Sequence, residues 1–155
     1  LFMNKTFDGR LSEDRVKKIR DKWDGNLIIK GVATTQDAQK AVDIGLDGLI
    51  VSNHGGRQLD AGQSTIKAAE DIVEQFHSQI KIMMDSGIRT GPDIARTLAS
   101  GVDFTFLGRS FMYGVGALGK EGGDHTITIL KRQLQQVMDQ CGCATPSDFP
   151  NHLVK

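Results

Sequence analysis

The chain has 155 residues, 39% of them hydrophobic and 25% charged, an ordinary composition for one globular segment with a buried core. Its 19 basic and 19 acidic residues give a formal net charge of zero, which argues against a nucleic-acid partner. The sequence contains no apolar run of about 18 residues and opens with no signal peptide. We therefore expect a cytoplasmic location, with membrane association of the full-length protein left open.

Strands and helices are predicted to alternate along most of the chain. An amphipathic lead-in helix within residues 1–26 carries Val16, Ile19 and Trp23 on one face. Four strand–helix units follow in residues 27–118, and a C-terminal helix and tail occupy residues 119–155. The predicted strands are 27–30, 48–51, 81–84 and 103–107. A helix between the two middle strands is predicted at about 67–75 and a long C-terminal helix at about 124–140, and the tail from residue 145 is expected to be irregular.

An internal repeat supports this division. The segment "LIIKGVATTQDAQKAVDIGLDGLIVS" (27–52) aligns without a gap on "MMDSGIRTGPDIARTLASGVDFTFLG" (83–108), at an offset of 56 residues. Each copy contains an apolar strand, a glycine turn, and a threonine followed three residues later by an aspartate, which is typical of a helix start. Each predicted helix ends near a glycine and leads into a second strand.

The pattern predicts a parallel α/β fold. Continuous apolar strands are typical of parallel sheets whose two faces are both covered, and strand–helix alternation predicts right-handed crossovers. Four consecutive strands with a two-strand repeat suit the C-terminal half, strands five to eight, of a (β/α)8 barrel. A doubly wound sheet is the alternative that the pattern alone leaves open.

Two glycine-containing turns are candidates for binding a phosphate. The stretches "DSGIRTGPD" and "LGRS" each combine glycine, an arginine and the start of a helix directly after a strand. Exposed backbone N–H groups, a helix N-terminus and a guanidinium group are suited to holding a phosphate dianion. The alternative is that Gly87 and Gly108 only permit tight turns and that the arginines are surface charges.

The stretch "SNHGGRQLD" (52–60) carries a possible base and a permanent cation. An imidazole such as that of His54 can accept a proton, whereas Arg57 can bind a carboxylate through two hydrogen bonds. Lys30, at the end of the first strand, would lie at the mouth of the same site. Each of these residues also has a purely structural interpretation. Cys141 and Cys143 are expected to be free thiols, and no metal site is predicted.

In combination, these motifs resemble one family. "LIIKG", "GLIVSNHGGRQLD", "DSGIRTGPDIARTLASGVDFTFLGR" and "YGVGALGKEGG" are similar to the C-terminal half of the FMN-dependent 2-hydroxy acid oxidases and dehydrogenases, which include glycolate oxidase and the L-lactate and mandelate dehydrogenases. The similarity runs from about residue 7 to residue 130. One departure is Ser110, which stands where the family commonly has proline and is expected to affect only the entry to the helix.

The resemblance implies FMN as cofactor and a role for each candidate residue. Lys30 would lie near the flavin N1/O2 edge, Ser52 beside the flavin ring and Asp85 at the ribityl hydroxyls. His54 would be the base and Arg57 the clamp on the substrate carboxylate. The phosphate would be bound by the turn and helix start formed by Ser86, Gly87, Ile88, Arg89, Gly108 and Arg109.

The implied reaction converts a small (S)-2-hydroxy acid, such as L-lactate or glycolate, into the 2-oxo acid. His54 would remove either the α-proton or the hydroxyl proton, and the sequence does not choose between them. The family's N-terminal half, which supplies the aspartate partner of this histidine, would be a necessary partner, and members are often tetramers. The alternatives are a catalytically silent half barrel and another phosphate-binding flavin barrel.

Overall fold

The computed structural model describes residues 11–154 as a parallel α/β structure. In this range the strands are β1 (Ile28–Val32), β2 (Gly48–Val51), β3 (Lys81–Met84) and β4 (Phe104–Thr105). The α-helices are α1 (Glu13–Arg20), α2 (Thr35–Ile44), α3 (Thr65–Phe76), α4 (Gly91–Ala99), α5 (Arg109–Leu118) and α6 (Gly122–Cys141). Short 3-10 turns cover His54–Gly56, Gly119–Glu121 and Pro146–His152. The predicted alternation of strands and helices is therefore confirmed.

The four strands form one parallel sheet in the order β1-β2-β3-β4. Each crossover connects neighbouring strands, so right-handed connections put the intervening helices on one face. A doubly wound sheet would instead reverse its strand order part-way. The sequential order agrees with the barrel interpretation.

Alternation along the strands separates a core face from an open face. Leu49, Val51 and Ile82 are fully buried beneath the helices, whereas Ile28 on β1 and Phe104 on β4 are 47% and 57% exposed on the opposite face. The expectation that both faces of the sheet are covered is therefore wrong for residues 11–154. The open face corresponds to the interior of a barrel, which four strands alone do not close.

The repeat has a structural basis at its helix starts. Thr34 accepts a hydrogen bond from the backbone N–H of Asp37 at 3.2 Å, and Thr90 accepts the equivalent bond from Asp93 at 3.4 Å. These bonds satisfy N–H groups that have no partner within the helix. The first turns of α2 and α4 therefore begin in the same way, 56 residues apart.

The same repeat places an aspartate in front of β2 and β4. Asp47 accepts a hydrogen bond from the backbone N–H of Leu27 at 2.7 Å, and Asp103 accepts one from Ile82 at 2.8 Å. Each carboxylate thus ties the start of one strand to its neighbour in the sheet. The residue pattern read in the sequence specifies this contact in both copies.

Three element boundaries differ from the sequence expectation. The lead-in helix is shorter than predicted, and of its three apolar residues Val16 is buried while Ile19 and Trp23 are exposed; residues 1–10 lie outside the described part. Strand β4 is two residues long. The tail is not irregular as expected: Thr145 and Asp148 form a capping box that opens the last 3-10 turn and buries Phe149.

Helices α5 and α6 touch at two glycines. A Cβ built on Gly114 would lie 2.6 Å from the carbonyl oxygen of Gly122, and a Cβ on Gly122 would overlap the backbone of Gly114. Contact this close leaves no room for a methyl group on either helix. Gly116, two residues further along α5, has nothing within 4 Å of its own built Cβ.

This contact predicts opposite effects for two alanine substitutions. Gly114→Ala should destabilise the protein by about 1–3 kcal/mol because the helices must separate. Gly116→Ala should instead stabilise it by roughly 0.5–1 kcal/mol, since alanine is the better helix former at an open position. Thermal unfolding of the full-length protein measures both. Equal shifts of the two variants would contradict the close contact.

Candidate functional site

The predicted site residues converge at the carboxyl edge of the sheet. The loops after β1, β2, β3 and β4 surround a cleft of about 520 Å³, within the range of small-molecule sites. Its lining includes the predicted residues Lys30, His54, Arg57, Asp85, Ser86, Ile88, Arg89, Gly108 and Arg109. Ser52 and Gly87 lie next to this lining on the same loops. Four sequence segments are therefore brought together in one place, as the barrel interpretation requires.

Lys30 and Asp85 form the polar floor of the cleft. The Lys30 ammonium lies 2.9 Å from the Asp85 carboxylate and donates a hydrogen bond of 3.0 Å to the buried hydroxyl of Ser52. Burial by itself raises the pKa of Asp85. Hydrogen bonds from the Ser52 and Ser86 hydroxyls, together with the Lys30 charge, outweigh burial and hold the pKa of Asp85 below its usual range. Asp85 is therefore ionised at neutral pH.

The lowered pKa of Asp85 predicts a pH-dependent stability difference. A carboxylate with a depressed folded-state pKa stabilises the protein above its unfolded pKa of about 3.9, and the contribution is lost as the pH falls through the folded-state value. Asp85→Asn should destabilise the protein at pH 7 by about 1–3 kcal/mol. The difference from the unsubstituted protein should narrow below about pH 4. Urea unfolding at a series of pH values measures it, and a constant difference would contradict the interpretation.

The histidine turn has an unusual backbone. His54 has φ of 55°, and Gly55 and Gly56 follow with φ of 69° and 72°, so all three are left-handed. Glycine adopts this region at no steric cost, whereas histidine does so less readily. The His54 ring lies over Gly31, whose built Cβ would be 3.6 Å from Cε1. The turn thus projects the imidazole towards the end of β1.

His54 and Arg57 both present free polar groups. Both side chains are exposed, and neither makes a hydrogen bond or ion pair with another group of residues 11–154. In particular, no carboxylate in this part of the chain contacts the His54 ring. The aspartate partner that the resemblance implies for His54 stays a prediction. Both residues are available to a substrate in the cleft.

One end of the cleft, the anion end, combines Arg89 and Arg109 with the uncapped start of α5. Ser86 and Gly87 are left-handed, with φ of 72° and 81°, and turn the chain so that Arg89 lines the cleft beside Arg109. No side chain caps the N-terminus of α5, which leaves its first N–H groups open to a ligand. The Ile88 side chain is buried in the core, so only its backbone is available to a ligand.

Two contributing residues were not identified from the sequence. Asn53 accepts a hydrogen bond from the backbone N–H of Gly55 at 3.0 Å. An asparagine two residues before a glycine is typical of an Asx turn, so the sequence did contain a signal for this bond. Ser110 donates a hydrogen bond of 2.8 Å to the carbonyl of Arg89 and so joins the two halves of the anion end. No sequence pattern predicts that bond, because it links loops that are 21 residues apart. Ser110 therefore does more than shape the entry to α5.

Comparison with known proteins identifies the family. The sequence matches the family model of the FMN-dependent dehydrogenases over residues 1–155. The chain belongs to this family. It is 44% identical to an L-lactate dehydrogenase of Vibrio cholerae serotype O1 (strain M66-2) over 148 residues, which cover 96% of this chain and 39% of that enzyme. It is 42% identical over 154 residues to an L-lactate dehydrogenase of Haemophilus influenzae (strain PittEE), covering 99% of this chain and 40% of that enzyme.

Solved structures of this family agree with the fold. A monotopic membrane protein, (S)-mandelate dehydrogenase, superposes with a TM-score of 0.91 at 34% identity, covering 99% of this chain and 41% of that one. A mandelate oxidase solved with benzoyl-formic acid gives a TM-score of 0.86 at 31% identity, covering 90% of this chain and 42% of that one. The partial (β/α)8 barrel is thereby confirmed. The chain spans about two fifths of the length of these relatives.

Between residues 11 and 154, no helix has the length and hydropathy needed to cross a bilayer. In the same part of the chain, no cluster of histidine, cysteine and acidic side chains is arranged to hold a metal ion. Cys141 is exposed and Cys143 is buried, and both are free thiols, as expected.

Proposed function

We propose that this chain is the C-terminal half of an enzyme that oxidises a small (S)-2-hydroxy acid to the 2-oxo acid with FMN. The single observation that carries the proposal is the shared cleft, which is lined by the unpaired His54 and Arg57 together with Arg89 and Arg109. An imidazole and a guanidinium without protein partners suit a substrate that offers a proton and a carboxylate.

The residues of the cleft fit FMN from end to end. The open N-terminus of α5, the Ser86–Arg89 turn and Arg109 would hold its phosphate. Asp85 offers acceptor oxygens to the ribityl hydroxyls, and Lys30 offers a positive charge at the ring. When bound, FMN supplies the acceptor for the two electrons that leave the substrate. The protein supplies charge and orientation around it.

In this proposal His54 and Arg57 divide the work on the substrate. Arg57 would bind the carboxylate through paired hydrogen bonds and so fix the hydroxyl-bearing carbon near His54. His54 would take the proton, from either the α-carbon or the hydroxyl, and hold it as imidazolium. The three-residue spacing puts both groups on one exposed turn, which supports their joint action.

L-lactate is the substrate that we place first. The relatives named L-lactate dehydrogenase are 44% and 42% identical to the chain, whereas the mandelate dehydrogenase structure is 34% identical. A substrate with a small side chain also suits the cleft, because Met112 forms part of its wall and the space of about 520 Å³ must hold a flavin as well. Glycolate and (S)-mandelate are the comparison substrates.

The test uses the full-length protein that carries this chain. We expect a yellow protein whose visible flavin absorbance is bleached anaerobically by L-lactate, more slowly by glycolate or (S)-mandelate, and not by D-lactate. Bleaching by none of the four compounds would contradict the proposed function. Light scattering of the same sample measures the subunit number, for which we propose a tetramer. Recovery in the membrane fraction would indicate the membrane association described for the mandelate dehydrogenase.

The exposed inner face supports a second candidate. Phe104 and Phe106 pack edge to face at 5.1 Å on an uncovered part of the sheet. A chain of residues 1–155 alone would then be a catalytically silent half barrel that requires an N-terminal segment to cover this face. A colourless chain that gains flavin only with that segment would support this candidate. The family match argues against a flavin barrel of a different family.

A further inference from the structure

The two backbone polar groups of Gly55, the residue after His54, are held by residues from two other loops. The backbone N–H of Gly55 donates a hydrogen bond of 3.0 Å to the Ser86 hydroxyl, on the loop after β3. The carbonyl of Gly55 accepts one of 2.9 Å from Nη2 of Arg109, at the start of α5. Loops after three different strands therefore meet at a single glycine. A Cβ on Gly55 would collide with the Arg109 guanidinium, so the contact requires glycine.

The direction of the Ser86 bond is fixed by Asp85. The single hydroxyl hydrogen of Ser86 is donated to the Asp85 carboxylate at 2.7 Å, so its oxygen is left to accept from Gly55. Ser86 is itself anchored, because the buried Thr65 hydroxyl donates to its carbonyl at 3.1 Å. Its left-handed φ of 72° aims the hydroxyl at the histidine turn. A strained residue held in this way often serves a site.

The histidine turn needs such external bonds. The three successive left-handed residues are joined by a backbone hydrogen bond from the N–H of Gly56 to the carbonyl of Asn53, at 3.0 Å, and the non-glycine member His54 costs roughly 1–2 kcal/mol in its conformation. The N–H of His54 donates to the Ser52 hydroxyl at 3.2 Å, and the N–H of Gly55 is shared between the Asn53 side chain and the Ser86 hydroxyl, each at 3.0 Å. The bonds from Ser86 and Arg109 connect this turn to other loops, so the orientation of the imidazole depends also on them.

We propose that Ser86 and Arg109 are positioning residues for His54, acting through the N–H and the carbonyl of Gly55. The proposal rests on the proposed function, in which His54 takes the substrate proton. It adds that two residues of the anion end also orient the base. Arg109 uses one of its five N–H donors on Gly55, so the others stay available to an anion at the same time.

A pair of Ser86 variants separates the hydroxyl from the backbone. Ser86→Gly removes the hydroxyl and relieves the left-handed strain, whereas Ser86→Ala removes the hydroxyl and keeps the strain. If the hydroxyl holds the turn, both variants should behave alike. Ser100→Ala is the matched control, because it removes a hydroxyl that bonds only the end of α4. Arg109→Lys tests the hydrogen bond to the Gly55 carbonyl, since lysine keeps the charge but lacks the planar guanidinium group.

The first readout does not require activity. Hydrogen exchange measured by mass spectrometry on the segment 52–57, with and without FMN, should be roughly tenfold faster in both Ser86 variants and in Arg109→Lys, as expected for one lost hydrogen bond. Ser100→Ala should exchange like the unsubstituted protein. If Ser86→Gly exchanges like the unsubstituted protein, or if Ser86→Ala alone is faster, the proposal is overturned.

The second readout is the reduction of bound flavin by L-lactate over a range of pH. Both Ser86 variants should reduce roughly tenfold more slowly at saturating substrate, with substrate affinity within about twofold and an altered pH profile. An unchanged rate and profile in both variants overturns the positioning role. If the unsubstituted protein reduces no flavin with any 2-hydroxy acid, the proposed function fails, while the exchange experiment still decides whether Gly55 is held as described.

Discussion

Replacing His54 by glutamine is expected to leave FMN bound and to lower the rate of flavin reduction by about 10²–10⁴-fold. The reason is that glutamine fills a similar volume and forms hydrogen bonds but cannot accept a proton near neutral pH. The His54 ring is exposed in the cleft and is not among the groups proposed to hold the phosphate, so cofactor retention should not depend on it. Stopped-flow reduction by L-lactate under anaerobic conditions measures the rate.

Two further variants test whether the loss of rate comes from the His54 imidazole itself. His54→Asn tolerates the left-handed φ of 55° better than glutamine does, so a comparable loss in both variants excludes backbone strain as the cause. His125→Gln changes an exposed histidine on α6, far along the chain from the cleft, and should reduce flavin at the normal rate. A rate within threefold of normal in both His54 variants would remove this residue as the base.

Much of the scaffold was predictable from the sequence because it rests on local signals. The Thr34 and Thr90 helix caps recur at a fixed offset and need only a residue three positions away to act. The sequence also predicted that Lys30, His54 and Asp85 lie at one edge of the sheet, because the carboxyl ends of parallel strands meet at the same edge. These predictions required no knowledge of side-chain packing.

The contacts between distant segments were not predictable in this way. The bond from Arg109 to Gly55 joins residues 54 positions apart, and the closeness of Gly114 to Gly122 depends on the angle between two helices. A glycine in a sequence signals freedom of the backbone but does not say which group approaches it. The prediction that both faces of the sheet are covered was also wrong. A continuous apolar strand indicates that both of its faces can be buried, but it does not say which segment buries each face.

Replacing Arg57 by methionine is expected to weaken binding of the hydroxy acid by about 100-fold, within the roughly 1.5–3 kcal/mol of hydrogen bonds to a charged group. Methionine keeps the length of the side chain and loses the guanidinium. FMN should stay bound, because Arg89 and Arg109, which are proposed to hold its phosphate, are unchanged. The substrate dependence of flavin reduction measures the effect. Arg132→Met, on an exposed face of α6, is the control for losing a surface charge.

A neutral substrate turns this prediction into a test of the carboxylate itself. The methyl ester of L-lactate keeps the hydroxyl and the α-proton but carries no charge for Arg57 to bind. If Arg57 is the clamp, the ester should reduce the bound flavin at about the same rate in the unsubstituted protein and in Arg57→Met, because each pair has lost one partner of the same interaction. Arg57→Lys should be intermediate with L-lactate, since a single ammonium cannot form the paired bonds. A loss of the same size with the ester would instead mean that Arg57 acts by shaping the His54 turn, and the clamp assignment would be wrong.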